Sequence, residues 1–421
     1  MEKQEKLLLV GGDIATPHVI RYCREIGVYT IMTNDLPYEK NPFKQMADEA
    51  WEIPVDELDV LEAKCREAGI TGVFAGVNED NLDRTQALAK RLGLPFYASD
   101  EGWACARDKL RFKEQCIAVG LDVPQCYNVQ KPFTAEMLAG LQYPVIVKPA
   151  DSSGSRGVSV CRNEAEFVEA YDNALSFSET GNVVVEDYID GNEFMAFVSI
   201  VDGQSAVYDF GSNYHVPANG RKVVSFGTTI VKNWNDWEKQ YQEKIEQLLE
   251  RLDCRNGCLF LQGACRNGKY YLFEIGYRLD GLGSWLSQPS SIGFSPLELQ
   301  VDFALGHDTA RHRIQTDCKQ KNHIVSVYQV YPKSGEISRI TGLDDLLANE
   351  KIKVTINRYR EGDCIQGGHS LFNMAYSMLL STRSEKETLE LLQHINSTVH
   401  MYDRNGQDML CYFEDYSIFV S

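Results

Sequence analysis

No apolar run in this sequence approaches the ~20 residues needed to cross a bilayer. The opening MEKQEK leads only into the short apolar segment Leu7 to Val10, so neither a secretory leader nor a membrane anchor is expected. Cationic excess is also missing. Lys and Arg total 42 against 60 Asp and Glu, a net charge of -18, which argues against a nucleic-acid binder because neutralising a phosphate backbone needs clustered positive charge. A locally basic nucleotide pocket stays compatible with that balance. The 12 cysteines are scattered, with no compact framework, and read as reduced thiols of a cytoplasmic protein. Cys254, Cys258 and Cys265 are the nearest grouping, but no second pair or His partner completes a zinc set, so packed core thiols are the preferred reading. Internal repeats and low-complexity linkers are absent, and no Ser-His-Asp or Cys-His nucleophile is evident.

What is present fills two to three domains over 421 residues. The first ~95 residues alternate short strands with helical stretches: Leu7–Val10, a helix over His18–Ile26, strands at Val28–Met32 and Gly72–Gly76, a helix over Asn81–Leu92, and a strand-like Pro95–Tyr97. That alternation predicts a parallel doubly wound sheet. Gly11-Gly12 after the first strand lacks the G-x-G-x-x-G spacing and reads as chain reversal in preference to dinucleotide binding. A helix over Arg107–Val119 opens a middle α+β region. It continues through strands at Tyr143–Val147, Val158–Cys161, Asn182–Val185, Phe194–Val201 and Tyr208–Phe210, a helix over Asp236–Leu252, and a hairpin of Cys258–Cys265 with Tyr270–Ile275 across Asn267-Gly268. A third, mixed unit follows, with strands at His323–Val330, Lys351–Arg358, Thr398–Tyr402 and Met409–Phe413 and helices near 343–349 and over Lys386–Ile395.

The sharpest chemical signal is VKPADSSGSRGV, Val147 to Val158, between two middle-region strands. Small residues let backbone N–H groups approach phosphate oxygens, the serines add donors, and Lys148 and Arg156 supply charge. The segment is not a Walker A loop: it lacks the G-K-[ST] ending and joins strand to strand. An ordinary mobile hairpin would explain its Gly and Ser residues, but not the Lys-Pro just before them.

With this loop in place the chain resembles the ATP-grasp superfamily along nearly its whole length. The resemblance implies an N-terminal pre-ATP-grasp α/β domain over residues 1–98, an ATP-grasp domain over 99–312 and a C-terminal mixed α/β lid domain over 313–421. It makes Lys109, in ARDKLRFK, and Lys148 the two phosphate-binding lysines, and places Ser153, Gly154, Ser155 and Gly157 in the phosphate loop. VVVEDYI matches the adenine hinge: Glu186 would accept from the adenine amino group, with the backbone of Asp187, Tyr188 and Ile189 along the ring edge, and Glu193 would hold the ribose hydroxyls. Arg278 matches the arginine that steadies the transferring phosphoryl group or the substrate carboxylate, and with Lys148 is the expected catalytic pair.

The metal pattern departs from the family's. Relatives place an acidic residue on one strand and Glu-x-Asn on the next, holding two Mg²⁺. Here Glu274 fits the bridging glutamate, the earlier position is Gln262, and the Asn position is Gly276. Gln262 still offers a neutral carbonyl oxygen to Mg²⁺, or to Mn²⁺ in its place. Asp280 either replaces the missing ligand or caps the Asp280-Gly281 turn, and the turn is preferred. His215, Asn219 and Arg221 are candidates for the acceptor site.

The reaction the resemblance implies is activation of a small carboxylate by ATP as an acyl phosphate, which an amine then displaces to give an amide, ADP and phosphate. Positioning and charge would do most of the work. Two alternatives stand beside it: a carboxyphosphate-forming enzyme, and an ATP-binding protein without catalysis, which the Gln262 and Gly276 departures keep open. Homodimerisation is an expectation by analogy with relatives.

Overall fold

The computed structural model describes residues 4–152, 156–218, 221–228, 234–286, 289, 293–313, 324–366 and 374–419. Ser153, Gly154, Ser155 and Asn219 lie outside the described residues, as does the side chain of Arg221.

Four parallel strands, β1 (Lys6–Val10), β2 (Tyr29–Thr33), β3 (Glu49–Trp51) and β4 (Gly72–Phe74), order as β3-β2-β1-β4. The middle strand β1 is a nearly continuous apolar run buried on both faces, which is what a strand covered by crossover helices requires. The helix Thr16–Glu25 connects β1 to β2, and Leu58–Ala68 connects β3 to β4. The helix Glu79–Leu92 begins directly beyond β4, with the Asn78 side chain accepting from the Asn81 N–H and Gly93 closing it at a φ of 69°. The carboxyl ends of β1 and β4 therefore open side by side, in the crevice where open α/β sheets hold their ligands. At Gly11 the chain turns with a φ of 85°, and a Cβ would lie 2.0 Å from the Asn81 side chain, so the position requires glycine.

Two sheets make the rest of the frame. A three-stranded sheet has β5 (Val145–Pro149) at its centre, flanked by β6 (Ser159–Cys161) and β7 (Val183–Asp187). A nine-stranded sheet begins with β12 (Lys269–Gly276), β11 (Gly257–Arg266), β8 (Asn192–Val201), β9 (Gln204–Ala218), β10 (Arg221–Thr228) and β13 (Ile324–Pro332) in that spatial order. Its antiparallel ladder continues into Tyr376–Thr382 and Ile352–Asn357, while Leu410–Cys411 pairs with the end of β13. The C-terminal strands thus extend the middle region's sheet through β10 and β13, where Phe226 lies opposite Tyr328.

Several sequence expectations are corrected. Pro95–Tyr97 forms no strand; Tyr97 is buried and its hydroxyl donates to the Tyr277 carbonyl at 2.8 Å. The helix expected over Arg107–Val119 runs over Lys109–Ala118, and a separate helix not read from the sequence, Asp100–Arg107, precedes it; Asp108 between them leaves helical geometry and its carboxylate accepts from the Leu110 and Arg111 N–H groups. Tyr208–Phe210 is the middle of the 15-residue strand β9, and Met409–Phe413 shortens to Leu410–Cys411. The hairpin turn at Asn267-Gly268 is as expected, both residues having positive φ.

Candidate active site

The break at Asp108 sets the site. It turns the helix Lys109–Ala118 so that Lys109 and Lys113, one turn apart on the same side, face the gap between the two sheets. Lys109 donates from Nζ to the Ser152 carbonyl at 2.8 Å and lies 3.4 Å from Glu274 Oε2 on β12. Lys148, on β5, forms an ion pair with Glu186 Oε1 on β7 at 2.5 Å, and its ammonium stands 5.7 Å over the Phe273 ring of β12. Lys113 holds the other oxygen of Glu186. Lys113 and Glu186 are almost wholly enclosed.

Three lysines thus converge on two carboxylates, leaving one positive charge in surplus in a poorly solvated gap. Burial pushes the Lys113 ammonium down to about 8, and the neighbouring Lys109 adds to the effect. Lys148 falls well below the ordinary lysine value, first through burial and then through repulsion from Lys113 and Lys109. The Ser152 Oγ is buried without a hydrogen-bond partner among the described residues. An anion with several oxygens, such as a polyphosphate, would satisfy that hydroxyl and the surplus charge together. Gly157 closes the loop at a φ of 73°, where a Cβ would meet Pro149 Cγ at 2.9 Å.

The hinge residues sit at the end of β7. Glu186 does not present a free carboxylate to a base: both of its oxygens engage lysines, so its role as acceptor for the adenine amino group is corrected to that of a lysine counter-ion. The Asp187 N–H donates to the Gln125 carbonyl at 3.0 Å, and the Asp187 carboxylate accepts from the Tyr127 hydroxyl at 2.6 Å. The Tyr188 N–H is taken by the Pro144 carbonyl at 3.2 Å, and the Ile189 side chain is buried. Glu193, on β8, has Oε2 3.4 Å from His215 Nε2 on β9, so His215 stands beside the expected ribose position.

Gln262 and Glu274 are directly opposite in the β11–β12 ladder, which puts their side chains on one face as neighbours. They supply a carboxylate and an amide oxygen, a hard-donor pair that fits one Mg²⁺ completed by phosphate oxygens and water. Among the described residues no group of three or more His, Cys, Asp or Glu side chains is placed to hold a metal ion. Asp280 is no replacement ligand: it is buried, and its carboxylate accepts from the Ser284 hydroxyl at 2.5 Å and the Leu282 N–H at 3.0 Å, the preferred turn reading.

Arg278 faces the N-terminal crevice. Its guanidinium donates to Glu79 Oε1 at 2.8 and 3.0 Å and to the Leu279 carbonyl at 2.9 Å, while Arg107 takes the other Glu79 oxygen. Burial alone would raise the Glu79 carboxyl, but the Arg278 and Arg107 charges prevail and hold it below its usual range. Asp13, after β1, accepts from the Ala15 and Val77 N–H groups at 2.9 and 2.6 Å and so ties the β1 and β4 loops together; burial raises it despite those bonds.

Lys113, Glu79 and Asp13 were not singled out from the sequence. Lys113 had a readable signal, the four-residue spacing from Lys109 that puts both on one helical face. Glu79 and Asp13 follow β4 and β1 at the carboxyl edge of the sheet, a position that marks ligand-facing residues without naming their partners.

A clamp of two sheets encloses a cationic gap, with a carboxylate–amide pair on its floor and an α/β unit at its mouth, and this architecture is the fold of the ATP-grasp enzymes. Residues 119–275 match the family described as D-ala D-ala ligase C-terminus. Over 248 residues the chain is 28% identical to the 2-oxoglutarate carboxylase small subunit of Hydrogenobacter thermophilus, covering 54% of this chain and 52% of that one. It thus spans about half the length of that curated relative. Among solved structures, the L-amino acid ligase from Bacillus licheniformis superposes with a TM-score of 0.79 at 18% identity, covering 96% of this chain and all of that one (100%). The biotin carboxylase domain of the Hydrogenobacter thermophilus 2-oxoglutarate carboxylase, solved as a dimer with MgADP, ADP and bicarbonate, gives a TM-score of 0.77 at 17% identity and covers 97% of this chain and 92% of that one.

Proposed function

We propose that this chain is an ATP-dependent carboxylate–amine ligase that activates a small carboxylate as an acyl phosphate and joins it to an amine, releasing ADP and phosphate. The observation that carries the reading is the surplus of lysine charge between the two sheets, set directly beside the Glu274–Gln262 pair. The end-to-end likeness to an L-amino acid ligase supports the reaction class.

Lys109 and Lys148 bind the phosphates, with residues 153–155 and Gly157 as the covering loop. The strand end at Asp187, Tyr188 and Ile189 borders the adenine; the Asp187 and Tyr188 N–H groups being engaged within the protein, base pairing falls to carbonyl oxygens and to Ile189. Glu193 holds the ribose, steadied by His215. Glu274 and Gln262 hold Mg²⁺, which when bound offsets charge on the phosphates. Arg278, fixed by Glu79, points the carboxylate substrate at the phosphates from the crevice beside Asp13. The carboxylate oxygen attacks the γ-phosphorus and ADP departs with the bond electrons. The amine nitrogen then attacks the acyl carbon, phosphate leaves, and the nitrogen loses a proton. The domains proposed are 1–98, 99–312 and 313–421, in a cytoplasmic homodimer.

The test is ADP release across a panel of carboxylates and amines offered singly and in pairs. Release that requires one particular pair supports the ligase. Release driven by bicarbonate alone points to the carboxyphosphate reaction, and nucleotide binding without release under any pairing refutes both.

A further inference from the structure

The face of β11 and β12 that carries Gln262 and Glu274 continues, one pair along, to Phe260 opposite Gly276. The two pairs sit on the same side of the sheet because alternate residues of a strand share a face. Gly276 cannot carry a ligand in this fold: a Cβ there would lie 2.1 Å from Phe260 Cζ and 2.4 Å from its Cε1. The Phe260 ring is itself fixed. It is buried in an apolar cluster with Met195, Phe197, Tyr208 and Phe294, and its other neighbour is the Arg278 guanidinium, 5.1 Å from the ring centre. Immediately beyond the carboxylate–amide pair, then, the floor of the site is an aromatic wall backed by a cation. A divalent ion demands oxygen donors, and the ring and guanidinium that fill this place offer none.

Charge tells the same story. Lys109 already stands 3.4 Å from Glu274, and the three lysines outnumber Glu186 and Glu274, so the protein supplies fixed positive charge around the phosphates without a second metal.

We infer that this site takes a single divalent cation, held by Glu274 and Gln262 together with the nucleotide phosphates, and that the Phe260 ring and the Arg278 guanidinium occupy the space a second cation would need. The inference rests on the nucleotide reading of the same gap. The test is equilibrium dialysis of the full chain with a non-hydrolysable ATP analogue and Mn²⁺, counting bound metal by electron paramagnetic resonance and bound nucleotide separately. One Mn²⁺ per bound nucleotide is expected, its affinity falling on the order of 100-fold in Glu274→Gln and rising about tenfold in Gln262→Glu, since donor charge tunes the affinity of oxygen sites. Two Mn²⁺ per nucleotide, or one that ignores both substitutions, overturns the single-cation assignment while leaving the nucleotide site standing. Failure of the analogue to bind at all overturns the nucleotide reading and this inference with it.

Discussion

Lys148 and Lys113 grip the two oxygens of one buried carboxylate, yet the structure gives them separable jobs. Lys148 lies near the end of β5, over the Phe273 ring. Lys113 is sealed behind it with 2% exposure. Substituting Lys148→Met removes a charged donor to the phosphates. Hydrogen bonds to charged groups are worth about 1.5–3 kcal/mol, so ATP affinity should fall roughly 10- to 150-fold. Glu186 keeps Lys113, so the fold should lose less than the ~3–5 kcal/mol that follows when a buried charge is left with no partner. Lys113→Met should instead leave ATP affinity changed less than about threefold, because the enclosed ammonium reaches Glu186 and not the ligand, and its stability loss is limited in the same way because Glu186 keeps Lys148. Isothermal titration with ATP, paired with thermal melts of both variants, separates the two roles. Equal losses of affinity in the two variants, or unchanged affinity in Lys148→Met, would refute the assignment.

Lys148 also sets a pH dependence. Burial and the neighbouring Lys113 and Lys109 hold it well below the ordinary lysine range, and only its protonated amine attracts phosphate, so ATP affinity should be greatest at low pH and decline as pH rises, before the ordinary lysine range is reached. Dissociation constants measured from pH 6.5 to 9.5 check this, and affinity that climbs with pH contradicts it. Arg278→Lys keeps the charge but loses the two-nitrogen grip on Glu79 at 2.8 and 3.0 Å. Turnover should drop at least tenfold with ATP affinity nearly unchanged, readable in steady-state kinetics once the substrate pair is known.

The sequence made the grip legible but not its wiring. Lys148, Gln262 and Glu274 were readable because each falls in a short local pattern, VKPADSSGSRGV or the strand pair across Asn267-Gly268, and Lys109 through the segment ARDKLRFK that resembles the family's. Partners from distant segments were not. Glu186 looks like an exposed hinge carboxylate until the fold delivers Lys113 from a helix more than seventy positions upstream. Arg278 finds Glu79 across 199 positions, through the packing of the α/β unit against the end of β12. Gly276 read only as a missing ligand. Its positive meaning, a place filled by Phe260, depends on β11–β12 register, which a sequence specifies through pattern but does not display. The C-terminal strands looked like a separate unit because their turns and helices are local, whereas the pairing of β10 with β13 that joins them to the main sheet is not.

The claim that everything else serves is transfer of the γ-phosphoryl group to a carboxylate. It is tested most directly by following ¹⁸O from the labelled carboxylate of the substrate that drives ADP release. The account predicts that, for each amide formed, one labelled oxygen leaves in the released phosphate, since the carboxylate oxygen that attacked phosphorus departs with it. Phosphate carrying no label, while ADP is still formed, would mean that water and not the carboxylate takes the phosphoryl group, and would contradict the account.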